Sequence, residues 1–410
     1  MKSKTLLKTG IAVAVLSTIS TNAFAEGEAT WNISGWLNEG ITYYDDGEGS
    51  DIAQLGDNGS TLGSRITLSG GYAPENTSLN FGFEVIVEPT AAVDGNSASP
   101  LLSNQDSLSN ANAFGSGISL LSNNVYISGD FGKVTIGTQS MPTDNIAVLA
   151  DPSVTIWSGI SPLFRALGFT IRGLGDGIDA IQGANTTWGS FAQCAGLNGL
   201  GIGIDCNGIY RNGIRYDAPA FGNFSVAVGY ANDDVYDFAL KYAGEVGGLK
   251  AMAHFGYAYN TDGGANIGGS SSETTQFQVG LMDPNSGIFG TFAYQLEEVD
   301  DAVEGSGDDT DAYHTKVGIR KAFNKLGDSA FYVDYASYND QFGLANAQGV
   351  TGSEVSVLGF AAEQYFGGRF LIYGKYEIIS LDVDGDEVAQ GLYGDAEDLT
   401  LFQIGTTIFF

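Results

Sequence analysis

The stretch Asn124–Gln139 reads NVYISGDFGKVTIGTQ, and Asn212–Phe224 reads NGIRYDAPAFGNF. Each has the form strand, tight turn, strand. Asn124–Phe131 and Lys133–Gln139 join at Gly129-Asp130-Phe131-Gly132. Ile209–Ala218 and Phe224–Tyr230 join at Pro219-Ala220-Phe221-Gly222-Asn223. Between the two hairpins lie about seventy residues, Ser140 to Gly208, rich in Gly, Ser, Asn and Asp. A compact domain rarely carries so long an irregular segment unless the segment has a task. The expectation is a membrane β-barrel whose mouth this segment (139–208) enters and narrows.

The flanking chain has the matching period. Trp31, Ile33, Leu37, Ile41 and Tyr43 share one face of a strand, and Asn32, Ser34, Asn38 and Thr42 share the other. That period of two marks one apolar and one wet side. An acidic loop with Asp45, Asp46, Glu48, Asp51 and Asp57 follows. Leu62–Ala73 then places Arg65, Thr67 and Ser69 opposite Ile66, Leu68 and Tyr72. Asn76–Glu88 places Leu79, Phe81, Phe83, Val85 and Val87 opposite Asn80, Gly82, Glu84 and Glu88. Further strands bring the expected number to about sixteen. The one near Ser353 is the least regular, because both of its faces carry apolar residues. Short and long connections alternate, as in outer-membrane barrels with short periplasmic turns and longer external loops. In hydrocarbon every backbone N–H and C=O must be paired, and a closed sheet does this without an edge. The fold class is therefore all-β, a transmembrane antiparallel barrel. Tyr43, Tyr72, Tyr257 and Tyr259 are candidates for its aromatic girdles.

Composition narrows the class further. Lys2, Lys4 and Lys8, the apolar run Leu6–Ile19 and Ala23-Phe24-Ala25 read as a signal peptide over 1–25, leaving a barrel domain over 26–410. The formal charge is −31, and without the three signal lysines it is −34. Such acidity opposes nucleic-acid binding, which needs a basic footprint. Disorder is opposed by 43% hydrophobic and 12% aromatic residues. The only cysteines, Cys194 and Cys206, sit in the long loop of an exported chain, where a disulfide is expected. Gly199-Leu200-Gly201-Ile202-Gly203 lacks the βαβ context of a dinucleotide site. No Ser/His/Asp set stands out, and the chain reads as a non-enzyme.

Three pieces resemble the general porins of Gram-negative outer membranes. The hairpin in Asn124–Gln139 is similar to the one before that family's constriction loop. Asn212–Phe224 is similar to the hairpin after it, and the terminal Phe410 matches the aromatic end read by barrel assembly. The resemblance implies a sixteen-stranded homotrimer in the cell outer membrane, with one pore per subunit, set in lipid and lipopolysaccharide. The long loop departs from the family pattern: it has no Pro-Glu-Phe-Gly-Gly stretch and is longer than usual.

Nine basic residues fall on faces assigned to the lumen: Arg65, Arg211, Arg215, Lys241, Lys250, Lys316, Arg320, Arg369 and Lys375. A charge on the lipid face costs about 2–4 kcal/mol near mid-membrane, which is itself a reason for the inward bias. The functional expectation adds a basic wall of Arg65, Arg211, Arg215 and Lys241 opposed by loop acids Asp144, Asp151, Asp176 and Asp179. Arg165 and Arg172 complicate the sign of the loop. Such a rim sets ion preference, and an acidic mouth concentrates cations. The expected function is a passive channel for small hydrophilic solutes and ions, weakly cation-selective. A substrate-specific channel and a barrel-anchored surface receptor or adhesin are the alternatives. No cofactor is implied. Loosely bound Ca²⁺ at the outer acids is compatible with the sequence, although Asp382-Val383-Asp384-Gly385-Asp386 departs from an EF-hand at Glu387 and Tyr393.

Overall fold

The computed structural model describes residues 27–57, 62–91, 116–160, 162–175, 186–194, 201–207, 210–232, 234–263, 269–302, 309–342 and 349–410. The signal segment 1–25 and the loop acids Asp176 and Asp179 lie outside these residues. The strands run β1 Ala29–Asp45, β2 Ser50–Asp57, β3 Arg65–Tyr72, β4 Asn80–Ala91, β5 Ser116–Gly129 and β6 Gly132–Ser140. Two short strands, β7 Gln193–Cys194 and β8 Gly201–Ile202, pair with each other inside the long loop. Then come β9 Tyr210–Asp217, β10 Phe224–Ala231, β11 Val235–Val246, β12 Leu249–Asn260, β13 Ser271–Met282 and β14 Ile288–Asp300. The last are β15 Asp309–Asn324, β16 Gly327–Asn339, β17 Val350–Phe366, β18 Phe370–Gly385 and β19 Leu399–Phe409.

Sequential neighbours pair antiparallel around the sheet, and β1 closes on β19 from Trp36↔Phe409 to Asp45↔Thr400. β2 and β3 both lie along β1, one beside its upper half and one beside its lower half. They share one strand position, so the closed barrel has 16. β6 pairs directly with β9, from Lys133↔Asp217 to Ser140↔Tyr210. The long loop therefore leaves and returns between two adjacent strands without interrupting the wall.

The alternation sorts faces as chemistry requires. Trp31 is 72% exposed and Val125 and Val317 are each 61% exposed on the outer face, while Asn38, Gln276 and Gln295 are buried on the inner one. Apolar groups outside and buried polar groups inside reverse the plan of a soluble protein, and hydrocarbon around the barrel accounts for it. Two tyrosines lie over glycines on the inner face. A Cβ at Gly82 would collide with the Tyr126 ring, and one at Gly405 with the Tyr373 ring.

Three expectations need correction. The acidic loop after β1 contracts to residues 46–49, because Ser50–Asp57 is a strand whose Ile52 lies outward beside Tyr43. Its acids mask the apolar period. Strands also run past the expected ends: β1 and β17 have 17 residues each, against about 9–11 needed to cross hydrocarbon. The extra turns stand in water, where acids such as Asp382 and Asp384 are at home. Finally, the loop after β18 holds a short helix, α1, Glu387–Tyr393, capped by Asp386 Oδ1 accepting from Val388 N at 2.8 Å and Ala389 N at 3.1 Å. The irregular strand near Ser353 has a simple cause. Val355 and Val357 point inward and pack in the same apolar cluster as the long loop.

Candidate functional site

The long loop seats itself on one side of the lumen through scattered apolar residues. Trp157, Leu163, Phe169, Trp188 and Phe191 are buried in one cluster with inward residues of β1 and β14–β19. Trp157 meets Trp36 edge-on at 5.6 Å between ring centres and Phe409 at 4.8 Å. Further out, Phe169 packs on Tyr44 at 5.4 Å and Phe191 on Tyr393 of α1 at 5.3 Å. Each buried aromatic contributes about 1.5–3 kcal/mol of burial, so the loop is held by a core and not by charge alone.

Ionic ties sit within that core. Arg165 Nε donates to Glu377 Oε2 at 2.8 Å, and Arg165 Nη1 donates to Gln403 Oε1 at 2.7 Å and Ser158 O at 2.8 Å. Ser158 Oγ donates to Glu363 Oε1 at 2.7 Å. Lys316 Nζ lies 2.7 Å from Asp151 Oδ2. Lys375 Nζ bridges Asp334 at 2.8 Å and Glu377 at 2.9 Å. Burial would raise the Asp151 carboxyl, but Lys316 and hydrogen bonds from Ser153 hold it below its ordinary range.

These contacts revise the expected division of charge. Asp151 does oppose a wall cation, but that cation is Lys316, not one of the four basic wall candidates. At Arg165 the polarity is inverted, with the cation on the loop and the acid, Glu377, on the wall. Arg369, assigned to the lumen from sequence, lies exposed in the turn 367–369. The wall acids Glu363, Glu377 and Asp334 did not figure among the sequence candidates. Their inward positions in the alternation of three neighbouring strands, β16, β17 and β18, are the one signal that could have found them.

The remaining candidates gather on the other side. Arg65, Arg211, Arg215 and Lys241 all occupy inward positions, on β3, β9 and β11. Asp144, at the loop's start and buried, feels the charges of Lys241, Arg65 and Arg215 together. Burial pushes its carboxyl above the ordinary range against the pull of those cations. Two of the cations are matched by wall acids. Arg65 Nη2 lies 2.6 Å from Glu88 Oε1, with its guanidinium 5.2 Å over the Trp36 ring. Arg215 Nη2 lies 2.7 Å from Asp217 Oδ1, and Arg215 Nη1 donates to Ser140 O at 3.0 Å. Lys241 stands opposite His254 across β11 and β12.

The two cysteines form a disulfide, with Cα atoms 5.4 Å apart. Its hairpin is tied to β14 and to the segment after β16 where Gly203 O accepts from Gln295 Nε2 at 3.0 Å and Gln341 Nε2 at 2.8 Å. Among the described residues, the groups of metal-ligating side chains reduce to Cys194, Cys206 and Glu297, whose thiols are spent in this bond.

A closed barrel with an apolar outer belt and a polar, loop-bearing lumen defines an integral outer-membrane protein of the channel-forming kind. A family model described as Gram-negative porin matches residues 12–383. The chain belongs to that family, and its place is the Gram-negative outer membrane. Among solved structures it is similar to an anion-selective porin from Comamonas acidovorans, at 20% identity over 93% of this chain and 100% of that one, TM-score 0.55. It is also similar to Salmonella typhi OmpF (11% identity, 93% and 97% covered, TM-score 0.53). A third is the trimer form of Vibrio cholerae OmpT (14% identity, 93% and 99% covered, TM-score 0.51). At these identities the likeness is one of fold. No curated protein matches the chain.

Proposed function

We propose that this porin is a passive, water-filled channel for small hydrophilic solutes and ions, weakly selective for cations and working as a homotrimer within outer-membrane lipid and lipopolysaccharide. Solutes cross down their gradients. No cofactor, energy source or catalytic step is required, and Ca²⁺ associates loosely at the outer acids. The observation that supports the reading is the charged inner wall of the closed barrel, where Arg65 pairs with Glu88 at 2.6 Å and Arg215 with Asp217 at 2.7 Å and the loop acid Asp144 feels their charge. Opposed charges across a narrow wet opening make a transverse field. Polar solutes orient in it, and apolar ones cannot cheaply displace its ordered water. The formal charge of −31 supports a cation-rich mouth.

The similar Comamonas structure is described as anion-selective, so the sign of the preference is the part most open to measurement. Purified protein in a planar bilayer should give step-like currents, and in a salt gradient a reversal potential on the cation side. Anion preference would remove the selectivity claim, and a sealed barrel would remove the channel. A solute-specific channel is the second reading, favoured by the packed core that commits the loop to the β14–β19 side. Saturable block of the current by one solute would support it.

A further inference from the structure

Inside the barrel the long loop does not cover the wall evenly. Among the described residues, charged side chains of β3 and β6 stay wet: Arg65 is 20% exposed and Lys133 29%. Those of β15 and β18 beneath the loop are dry, Lys316 at 4% and Lys375 at 0%. The aqueous route therefore follows the wall of β3 to β6 and β9, and the loop forms its other bank. How far the loop stands off β11–β15 decides how wide that route is.

The loop's first limb, residues 141–155, crosses these strands in turn, and wall side chains take up its backbone. Asp237 of β11 accepts from Thr143 N and Thr143 Oγ1, each at 2.8 Å. Gln278 of β13 accepts from Ala150 N with its Oε1. On β15, Arg320 Nη1 donates to Ser153 O at 2.5 Å and Lys316 Nζ to Thr155 O at 3.0 Å. These bonds satisfy an irregular backbone whose buried polar groups would otherwise be stranded.

Bonds from side chains as short as Asp237 and Gln278 require the limb to lie close on the sheet, and two glycines give the room. Gly256 of β12 and Gly280 of β13 both occupy inward positions. A Cβ at Gly280 would run into the Ala150 carbonyl oxygen and stand 2.5 Å from Pro152 Cδ. One at Gly256 would meet Ile146 Cγ1 at 2.8 Å and Thr143 Cγ2 at 3.1 Å. Ordinary contact begins at about 3.5 Å, so the limb over Gly280 would have to move by about 1 Å. β12 and β13 are paired from Lys250↔Met282 to Asn260↔Ser272 within the closed wall. The limb is the freer partner, and away from the wall it can move only into the lumen.

We propose that Gly256 and Gly280 are positioning residues that set the width of the channel. By carrying no side chain they let the loop's first limb lie against the wall, and so keep the route along β3 to β6 and β9 open. This role rests on the channel reading above and deepens it, adding solute size to charge as what the lumen selects.

The experiment is single-channel conductance of the full chain in potassium chloride, with polyethylene glycols of graded size as probes of the bore. In Gly280→Ala and in Gly256→Ala the conductance should fall by about a fifth or more, and the largest polymer that still enters should become smaller. Ile146→Ala added to Gly256→Ala removes the atom in the way and should restore both readings. The same change added to Gly280→Ala should restore neither, because backbone blocks that site. Gly290→Ala, on the outer face of β14 between Ile288 and Phe292 and with no atom nearer than 3.6 Å to the new Cβ, should behave as wild type. A general loss of stability would not sort the variants in this way. Wild-type conductance and polymer cut-off in both glycine variants would overturn the proposal, as would a loss in Gly256→Ala that Ile146→Ala leaves in place. A wild type that passes no current would remove the channel reading instead. Cleavage within the loop by added protease then still reads the positioning role: faster cleavage in Gly280→Ala supports it, and an unchanged rate overturns it.

Discussion

Arg165 of the long loop reaches Glu377 of β18 across 2.8 Å, and their side chains are 0% and 1% exposed. An ion pair so dry is not an obvious source of stability, because desolvating both charges offsets much of their attraction. Removing Arg165 is different, since it takes one of two cations from buried Glu377 and leaves Lys375 at 2.9 Å as the other, at a cost of up to about 3–5 kcal/mol. Arg165→Met should therefore loosen the loop from the wall. The expected signs are noisier single-channel current and faster proteolysis within the loop, with the strand content intact by circular dichroism. Adding Glu377→Leu should recover much of the loss. A double variant as loose as the single one would show that the pair does not latch the loop.

The disulfide should act locally. It closes a sequence separation of 12, for which the chain-entropy argument gives about 3 kcal/mol. That stabilisation belongs to the β7–β8 hairpin and not to the barrel wall, whose strands pair without it. Replacing both cysteines by serine should leave barrel unfolding nearly unchanged while exposing the hairpin to protease. A large fall in the barrel's own thermal midpoint would mean that the hairpin is part of the wall's cooperative unit.

The contrast between these two ties shows what the chain's pattern could reveal. Strands such as β1 and β4 were legible because lipid outside and water inside impose strict alternation on consecutive residues. The disulfide was legible because two cysteines in an exported chain have little else to do. β2 was not, since Asp51 and Asp57 near its ends look like loop. The loop's core was not, because Trp157, Phe169 and Trp188 have no common period. Nor could Arg165 be matched with Glu377, since the partners are separated by 212 positions. Asp144 was recognisable as a loop acid, but nothing in its spacing showed that its side chain is buried.

Neutralising the wall should shift ion preference by more than the charge removed. Arg65 and Arg215 each mask a wall carboxylate, Glu88 at 2.6 Å and Asp217 at 2.7 Å. Arg65→Gln with Arg215→Gln both deletes two cations and uncovers two anions. The permeability ratio should move toward cations by about two-fold or more. Reversal potentials in a salt gradient read this directly. An unchanged ratio would take both residues out of the ion path.

Acid should release the loop at one identifiable tie. The Asp151 carboxyl, 2.7 Å from Lys316, is held below its ordinary range. A carboxyl depressed in the folded state contributes stability that is complete above its unfolded value, about 4, and is lost as pH falls through the depressed one. Loop protection from an acid-active protease should thus decline below about pH 4. Asp144 has the opposite sign: its carboxyl, raised by burial, favours the seated loop at low pH and weakens it as pH rises above about 4. The two are separable by variant. In Lys316→Met the cation that depresses Asp151 is gone, so the acid-side decline should shrink while the behaviour above pH 4 stays as in wild type. An acid-side decline of full size in Lys316→Met would assign it to another carboxylate, with Asp334 beside Lys375 at 2.8 Å the next to test.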